Sequence, residues 1–128
     1  MSVWLHLQRR WRGRYAEKIA ADFLMRQGFV IVARNYRCRL GEIDLIAREG
    51  DTLVFVEVRF RSRSDYGNAI ESITNMKRRK LIAAALYFLQ ERGDGDSDCR
   101  FDVIALSHLS PDVVEWIPNA FDAGQYFR

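Results

Sequence analysis

GEIDLIAREGDTLVFVEVRFR (residues 41–61) reads as a β-hairpin, and that reading decides the architecture. Residues 40–47 begin with an alternation of apolar and polar side chains, and residues 53–60 are rich in Val and Phe. Between them stands Glu49-Gly50-Asp51-Thr52, with Gly at the first central position of a two-residue loop, where a type II′ turn needs it. That turn sets Glu49 opposite Thr52, and counting back along both strands sets Asp44 opposite Glu57. Cross-strand partners have Cβ atoms roughly 4.5–5.5 Å apart. Glu42, Asp44, Glu57, Arg59 and Arg61 are then expected on one face, and Ile43, Leu45, Val54, Val56, Val58 and Phe60 on the other, as core.

Two carboxylates opposed on a sheet repel unless positive charge lies between them. Arg59 is one source of that charge and a divalent cation is another. Mg²⁺ takes oxygen ligands, keeps several waters, and is commonly held by one or two carboxylates plus substrate phosphate. The hairpin therefore fits a metal site for phosphodiester chemistry. From these residues alone a surface ion-pair cluster is the favoured reading, since such networks imitate functional sites.

Asp44 followed by Glu57-Val58-Arg59 resembles the PD-(D/E)xK nuclease motif, an Asp on one strand and (D/E)-x-K on the next. The hairpin with GRYAEKIAADFL (13–24) before it and RFDVIAL (100–106) after it resembles the YraN family over residues 13–121. Those are small bacterial proteins regarded as predicted endonucleases, related in fold to archaeal Holliday-junction resolvases. The resemblance implies a restriction-endonuclease-like fold. It also implies a centre in which Asp44, Glu57 and the backbone carbonyl of Val58 hold Mg²⁺ or Mn²⁺. Glu17, in a Gly13-x-x-x-Glu17 context, is implied as a third acidic member, and Arg59 as the residue at the motif's Lys. Arg there is a departure: it is a fixed cation and a poor proton acceptor, whereas Lys is a compact donor.

The 128 residues suffice for one domain with its own core. Cys38 and Cys99 lack metal-type or CxxC spacing and read as reduced thiols. His6 and His108 begin no ligand pattern. No apolar run approaches the ~20 residues of a membrane span. The first residues, MSVWLHLQRRWRGR, carry their charges after the apolar stretch, the reverse of a secretory signal, so a cytoplasmic, soluble protein is expected. Net charge is +3, but residues 1–40 hold nine Lys/Arg against two acidic groups. A basic N-terminal third suits a nucleic-acid surface, and suits a solubilising face as well.

Residues 1–12, with Trp4, Trp11 and three Arg, read either as a basic arm or as the lead-in to a helix. Residues 13–27 read as a helix with Tyr15, Ile19, Phe23 and Arg26 near one stripe, Ala16, Ala20 and Leu24 beside it, and Gly28 ending it. Residues 29–37 read as a strand. Residues 62–68 read as a polar connection, and Thr74 as the N-cap of a helix over 75–91 that buries Leu81, Ala84, Ala85, Phe88 and Leu89, with Met76 extending the stripe. Residues 92–98 read as a turn, residues 100–107 as a buried strand, and residues 111–116 as a short edge strand. Asp102 is expected to pair with Arg100 or to lie near the acidic edge, and is not assigned to metal. The aromatics of IPNAFDAGQYFR (117–128) are expected to pack back on the body or on a partner.

The expected architecture is α/β, with a mixed central sheet flanked by helices. The expected function is metal-dependent hydrolysis of DNA, with Arg14, Arg37, Arg39, Arg61 and Lys77 on the nucleic-acid side. Groups for reading base edges are not evident, so branched or non-specific DNA is expected as the substrate. The resolvase relatives imply a homodimer by analogy. Two alternatives stand beside this reading. One is a non-catalytic nucleic-acid binder, favoured by Arg59; the other is an interaction protein that docks through its aromatic termini.

Overall fold

Two helices cover a five-stranded sheet in the computed structural model. The model describes residues 3–61, 73–93, 95, 97–107 and 114–121, with the side chains of 3–12, 60, 61 and 107 outside that description. The elements run α1 (Val3–Arg26), β1 (Val30–Cys38), β2 (Gly41–Glu49), β3 (Thr52–Arg61), α2 (Asn75–Arg92), β4 (Cys99–Ser107) and β5 (Val114–Phe121). Strand order is β1-β2-β3-β4-β5, antiparallel except for the parallel pair β3–β4, which α2 connects. This is the expected α/β architecture, consistent with a restriction-endonuclease-like fold. The polar connection expected at 62–68 lies outside the described residues. Among the described residues, no helix is long and apolar enough to cross a membrane.

The hairpin register is the expected one from Glu49↔Thr52 to Leu45↔Val56. Gly50 has φ 59° while Asp51 does not share a positive φ, as a type II′ turn requires. The division into one polar and one apolar face does not hold. Leu53, Val54, Phe55 and Val56 are all buried, because α2, in the parallel crossover, covers one face of the sheet and α1 covers the other. Leu45, Ala47, Val54, Val56, Ile104 and Leu106 pack on α1; Ile46, Phe55, Phe101, Val103 and Ala105 pack on α2.

The first helix begins at Val3, so most of the expected arm is helical backbone. Its buried stripe is Ala16, Ile19, Ala20, Ala21 and Leu24. Tyr15 is exposed and so is Arg26, which corrects the expected stripe by one residue. The alanines leave little side chain between helix and sheet, so the backbones lie close. At the C-terminus the Phe29 N–H donates to the Leu24 carbonyl at 3.0 Å and the Gly28 N–H to that of Met25 at 3.0 Å, with Gly28 at φ 95°. That is a Schellman ending, and Phe29 and Leu24 supply its apolar contact.

Thr74 caps α2, its Oγ1 accepting the Lys77 N–H at 3.2 Å. The expected stripe is buried together with Ile82, whereas Met76 is exposed. The α2 backbone comes so close to the start of β2 that a Cβ on Gly41 would lie 2.9 Å from the Lys80 carbonyl oxygen.

The last strand, Val114–Phe121, runs on past the expected end at residue 116, residues 111–113 lying outside the described residues, and Phe121 stacks on Phe101 with centroids 5.0 Å apart. Its pairing with β4 shifts between Phe101 and Val103, and Asp102 sits in the irregularity, 1% exposed. There its carboxylate accepts from Arg100 Nε (3.0 Å), Trp116 Nε1 (3.1 Å) and the Asn119 backbone N–H (2.9 Å). The expected Arg100 pairing is therefore one part of a buried network that fixes β5. Asp102 also leaves any acidic edge to other residues.

Two stability predictions follow from these contacts. Asp102→Ala leaves the Trp116 and Asn119 donors unpaired and is expected to cost about 3–5 kcal/mol in urea denaturation. Gly41→Ala forces β2 and α2 apart and is expected to cost about 1–3 kcal/mol in the same measurement; an unchanged midpoint would mean that the two elements are not tightly seated there.

Candidate functional site

Beyond Leu45↔Val56 the two hairpin strands stop pairing. On the other side of β2, Arg34↔Leu45 and Tyr36↔Ile43 pair, but Asn35 and Asp44 between them do not. The side-chain alternation slips here as well. Ile43 packs in the α2-side core and Leu45 in the α1-side core, although they stand two residues apart and were expected on one face. Asp44 thus leaves the ladder on both sides. Its Oδ2 instead accepts the part-buried Val58 backbone N–H at 2.8 Å, giving that donor a partner where β2 no longer pairs.

A cleft of about 310 Å³ opens where the strands part. Glu17 of α1, Glu42 and Asp44 of β2, Glu57 and Val58 of β3, and Lys77 of α2 line it. Gly13 and Ala16, both small, form its α1 side. Glu57 is only 5% exposed. Its Oε2 lies 2.8 Å from Lys77 Nζ and 3.4 Å from Arg59 Nη1.

Burial raises the Asp44 carboxyl pKa to about 8, with the neighbouring Glu57 charge as the next cause; the Val58 N–H opposes both. The Asp44 and Glu57 side chains meet on the same wall of the cleft. Glu17 is also raised, chiefly by burial, while a hydrogen bond from Asn35 and the charge of Arg37 pull it down. Asn35 has φ 51°, the left-handed region that Asn tolerates better than most residues.

Of the residues singled out from sequence, Glu17, Asp44, Glu57, Val58 and Lys77 come together in the cleft. Arg59 reaches Glu57 without lining it. Arg14 is exposed on the α1 side and acts on Glu17 electrostatically. Arg37 pairs with Glu42 at 3.5 Å, with both side chains largely exposed, so the pair contributes little to stability. Arg39 is exposed in the β1–β2 connection, and the Arg61 side chain lies outside the described residues. Sequence reasoning put Glu42 on the acidic face without assigning it a part in the site, and did not single out Asn35. An Asn inside an otherwise strand-like segment was the available signal for Asn35.

The donors are all oxygens, the chemistry that suits Mg²⁺ or Mn²⁺. Among the described residues, no three Asp, Glu, His or Cys side chains close on one point as a complete cage. The set fits a hard cation held by two carboxylates and completed by water and substrate oxygens.

The raised Asp44 pKa gives a signed prediction. Its folded value of about 8 exceeds the ordinary 3.8, so in this range the folded state binds more protons than the unfolded state. The contribution of this group is fully present below pH about 4 and is lost as pH rises towards about 8, by at most about 1.4 kcal/mol per pH unit. Asp44→Asn keeps an acceptor for Val58 and removes the titration. In metal-free buffer its melting temperature is expected to exceed the unmodified protein's at pH 8, with a smaller gap at pH 5. A gap independent of pH would rule out the buried proton.

A family model described as "Uncharacterised protein family UPF0102" matches residues 16–106. A UPF0102 protein of Methylobacillus flagellatus is 52% identical over 111 residues, covering 87% of this chain and 96% of its own. One from Hahella chejuensis is 52% identical over 109 residues, covering 85% and 88%. One from Pseudomonas fluorescens is 48% identical over 120 residues, covering 92% and 96%.

Proposed function

This chain belongs to the uncharacterised protein family UPF0102, and we propose that its cleft hydrolyses DNA phosphodiester bonds with a divalent cation. The observation that carries the reading is that Asp44 and a nearly buried Glu57 face one cleft where two strands part. A fold that needs only an ion-pair surface has no cause to bury carboxyl groups against each other, since desolvation and mutual repulsion both oppose it. A cation of charge two offsets both.

Asp44, Glu57 and the Val58 carbonyl would hold Mg²⁺ or Mn²⁺. When bound, such an ion polarises a phosphoryl oxygen and makes a coordinated water more acidic. Glu17 faces the same cleft and suits a water-mediated role. Arg59 neutralises part of the Glu57 charge and so fixes that carboxylate. Arg14, Arg37, Arg39, Arg61 and Lys77 suit contacts to phosphates, which position a nucleic acid without reading its sequence. Branched or non-specific DNA therefore fits better than a defined sequence. A cytoplasmic location and a homodimer belong to the same proposal.

The second reading is a nucleic-acid binder without useful catalysis. It is favoured by the guanidinium of Arg59 at the motif's Lys position.

Cleavage of a branched and a linear DNA with Mg²⁺ or Mn²⁺ separates the two. The unmodified protein is expected to cut at least one substrate, and Glu57→Ala to lose cutting by at least about a hundredfold. Salt-sensitive binding by both proteins with cutting by neither would support the non-catalytic reading.

A further inference from the structure

We infer that Lys77, reaching in from α2, and not Arg59 is the cationic group that contacts the scissile phosphate and the attacking water; this rests on the nuclease reading above. Two cations meet the same Glu57 oxygen, but they meet it differently. Lys77 Nζ is at 2.8 Å and its side chain lines the cleft. Arg59 Nη1 is at 3.4 Å, and Arg59 is not among the cleft residues. The Lys77 side chain is 44% exposed against 26% for Arg59, so the ammonium is the one that an entering phosphate meets.

The location of Lys77 is otherwise hard to explain. It is the third helical residue after the Thr74 cap, where a Glu or Gln would complete a capping box and where a cation opposes the helix dipole. Its backbone N–H is already taken by Thr74 Oγ1, which fixes the main chain and leaves the side chain to reach across to β3. One turn later the Lys80 carbonyl is seated against Gly41 of β2, so the first turns of α2 are held at a set distance from the strands that carry the carboxylates.

The chemistry favours an amine at this point. An ammonium offers three N–H donors on a compact head, and Glu57 uses one. Two remain for a non-bridging phosphate oxygen and the attacking water. In the hydrolysis, the water oxygen forms a bond to phosphorus and the bond from phosphorus to one sugar oxygen breaks. One water proton leaves to solvent and a proton arrives on the departing sugar oxygen. Lys77 does not need to exchange a proton in this sequence; it stabilises the added negative charge as phosphorus becomes five-coordinate. Among the described residues, four acidic side chains, Glu17, Glu42, Asp44 and Glu57, line the cleft with one ammonium, so its charge does not use up the acidic character that a divalent ion needs.

The inference has a consequence that needs no turnover. An ammonium on Glu57 competes with a divalent ion for the same carboxylate. Lys77→Met is therefore expected to bind Mn²⁺ several-fold more tightly in calorimetry without DNA, yet to cut DNA at least about a hundredfold more slowly in single turnover with Mn²⁺ and DNA saturating. Arg59→Met is expected to lose about tenfold in the same cutting assay, with a smaller change in Mn²⁺ affinity. Melting curves of both variants separate loss of fold from loss of function. The inference is overturned if Lys77→Met cuts at the unmodified rate, if Arg59→Met shows the larger loss, or if Mn²⁺ binds Lys77→Met no more tightly. An unmodified protein that cuts no DNA with Mg²⁺ or Mn²⁺ overturns the nuclease reading, and this inference with it. Unmodified protein that cuts while Lys77→Met cuts equally well overturns the Lys77 assignment alone.

Discussion

The Asp44 carboxylate accepting the Val58 backbone N–H is the interaction on which the site depends. Strand pairing in β2–β3 ends at Leu45↔Val56, and the part-buried Val58 N–H beyond that point takes another acceptor. Asp44 supplies it from the departing strand. One hydrogen bond thus holds the two strands at a fixed separation after their ladder has ended. The gap it maintains is the cleft, and it brings β2 and β3 acids together with a base from α2 and an acid from α1.

The rest of the fold makes that gap tolerable. Parallel pairing of β3 with β4 and a helix on each face secure β3 along its whole length, so it can lose β2 at one end. Alanines along α1 bring Glu17 near the sheet, and Gly41 lets α2 lie against β2 at the other side. At the far edge the buried Asp102 network ties β5 to β4 by filling a pairing irregularity with a carboxylate. The chain uses a carboxylate twice to satisfy backbone donors that a ladder leaves open. At Asp102 an arginine and an indole complete the partnership. At Asp44 the neighbour is another acid, and burial with that neighbouring charge raises its carboxyl pKa.

Electrostatics in the cleft follow the same logic. The acids come from strands and α1, and the cation that touches Glu57 most closely comes from a helix start, where cations are disfavoured. Such local conflict between propensity and position is expected at functional sites, where the constellation rather than the local element sets the residue type.

The sequence by itself determined the hairpin and its register from Glu49↔Thr52 to Leu45↔Val56, because Gly50 fixes the turn that sets those pairs; the expected Asp44↔Glu57 pair does not form. It determined the α/β order, and it determined the cap at Thr74 and the stop at Gly28, which rest on contacts within a few residues; for Asp102 it offered the Arg100 pairing as one of two alternatives. It also named Asp44, Glu57 and Glu17 through the family pattern. Only the tertiary structure decided which faces are buried, since the crossover through α2 covers a face that alternation alone leaves to solvent. Only tertiary structure decided that Ile43 and Leu45 part company at Asp44, because the slip answers to β1 and β3 together. The meeting of Lys77 with Glu57 spans twenty residues of sequence and two elements. Its cause is the seating of α2 on β2, a contact that no local pattern encodes.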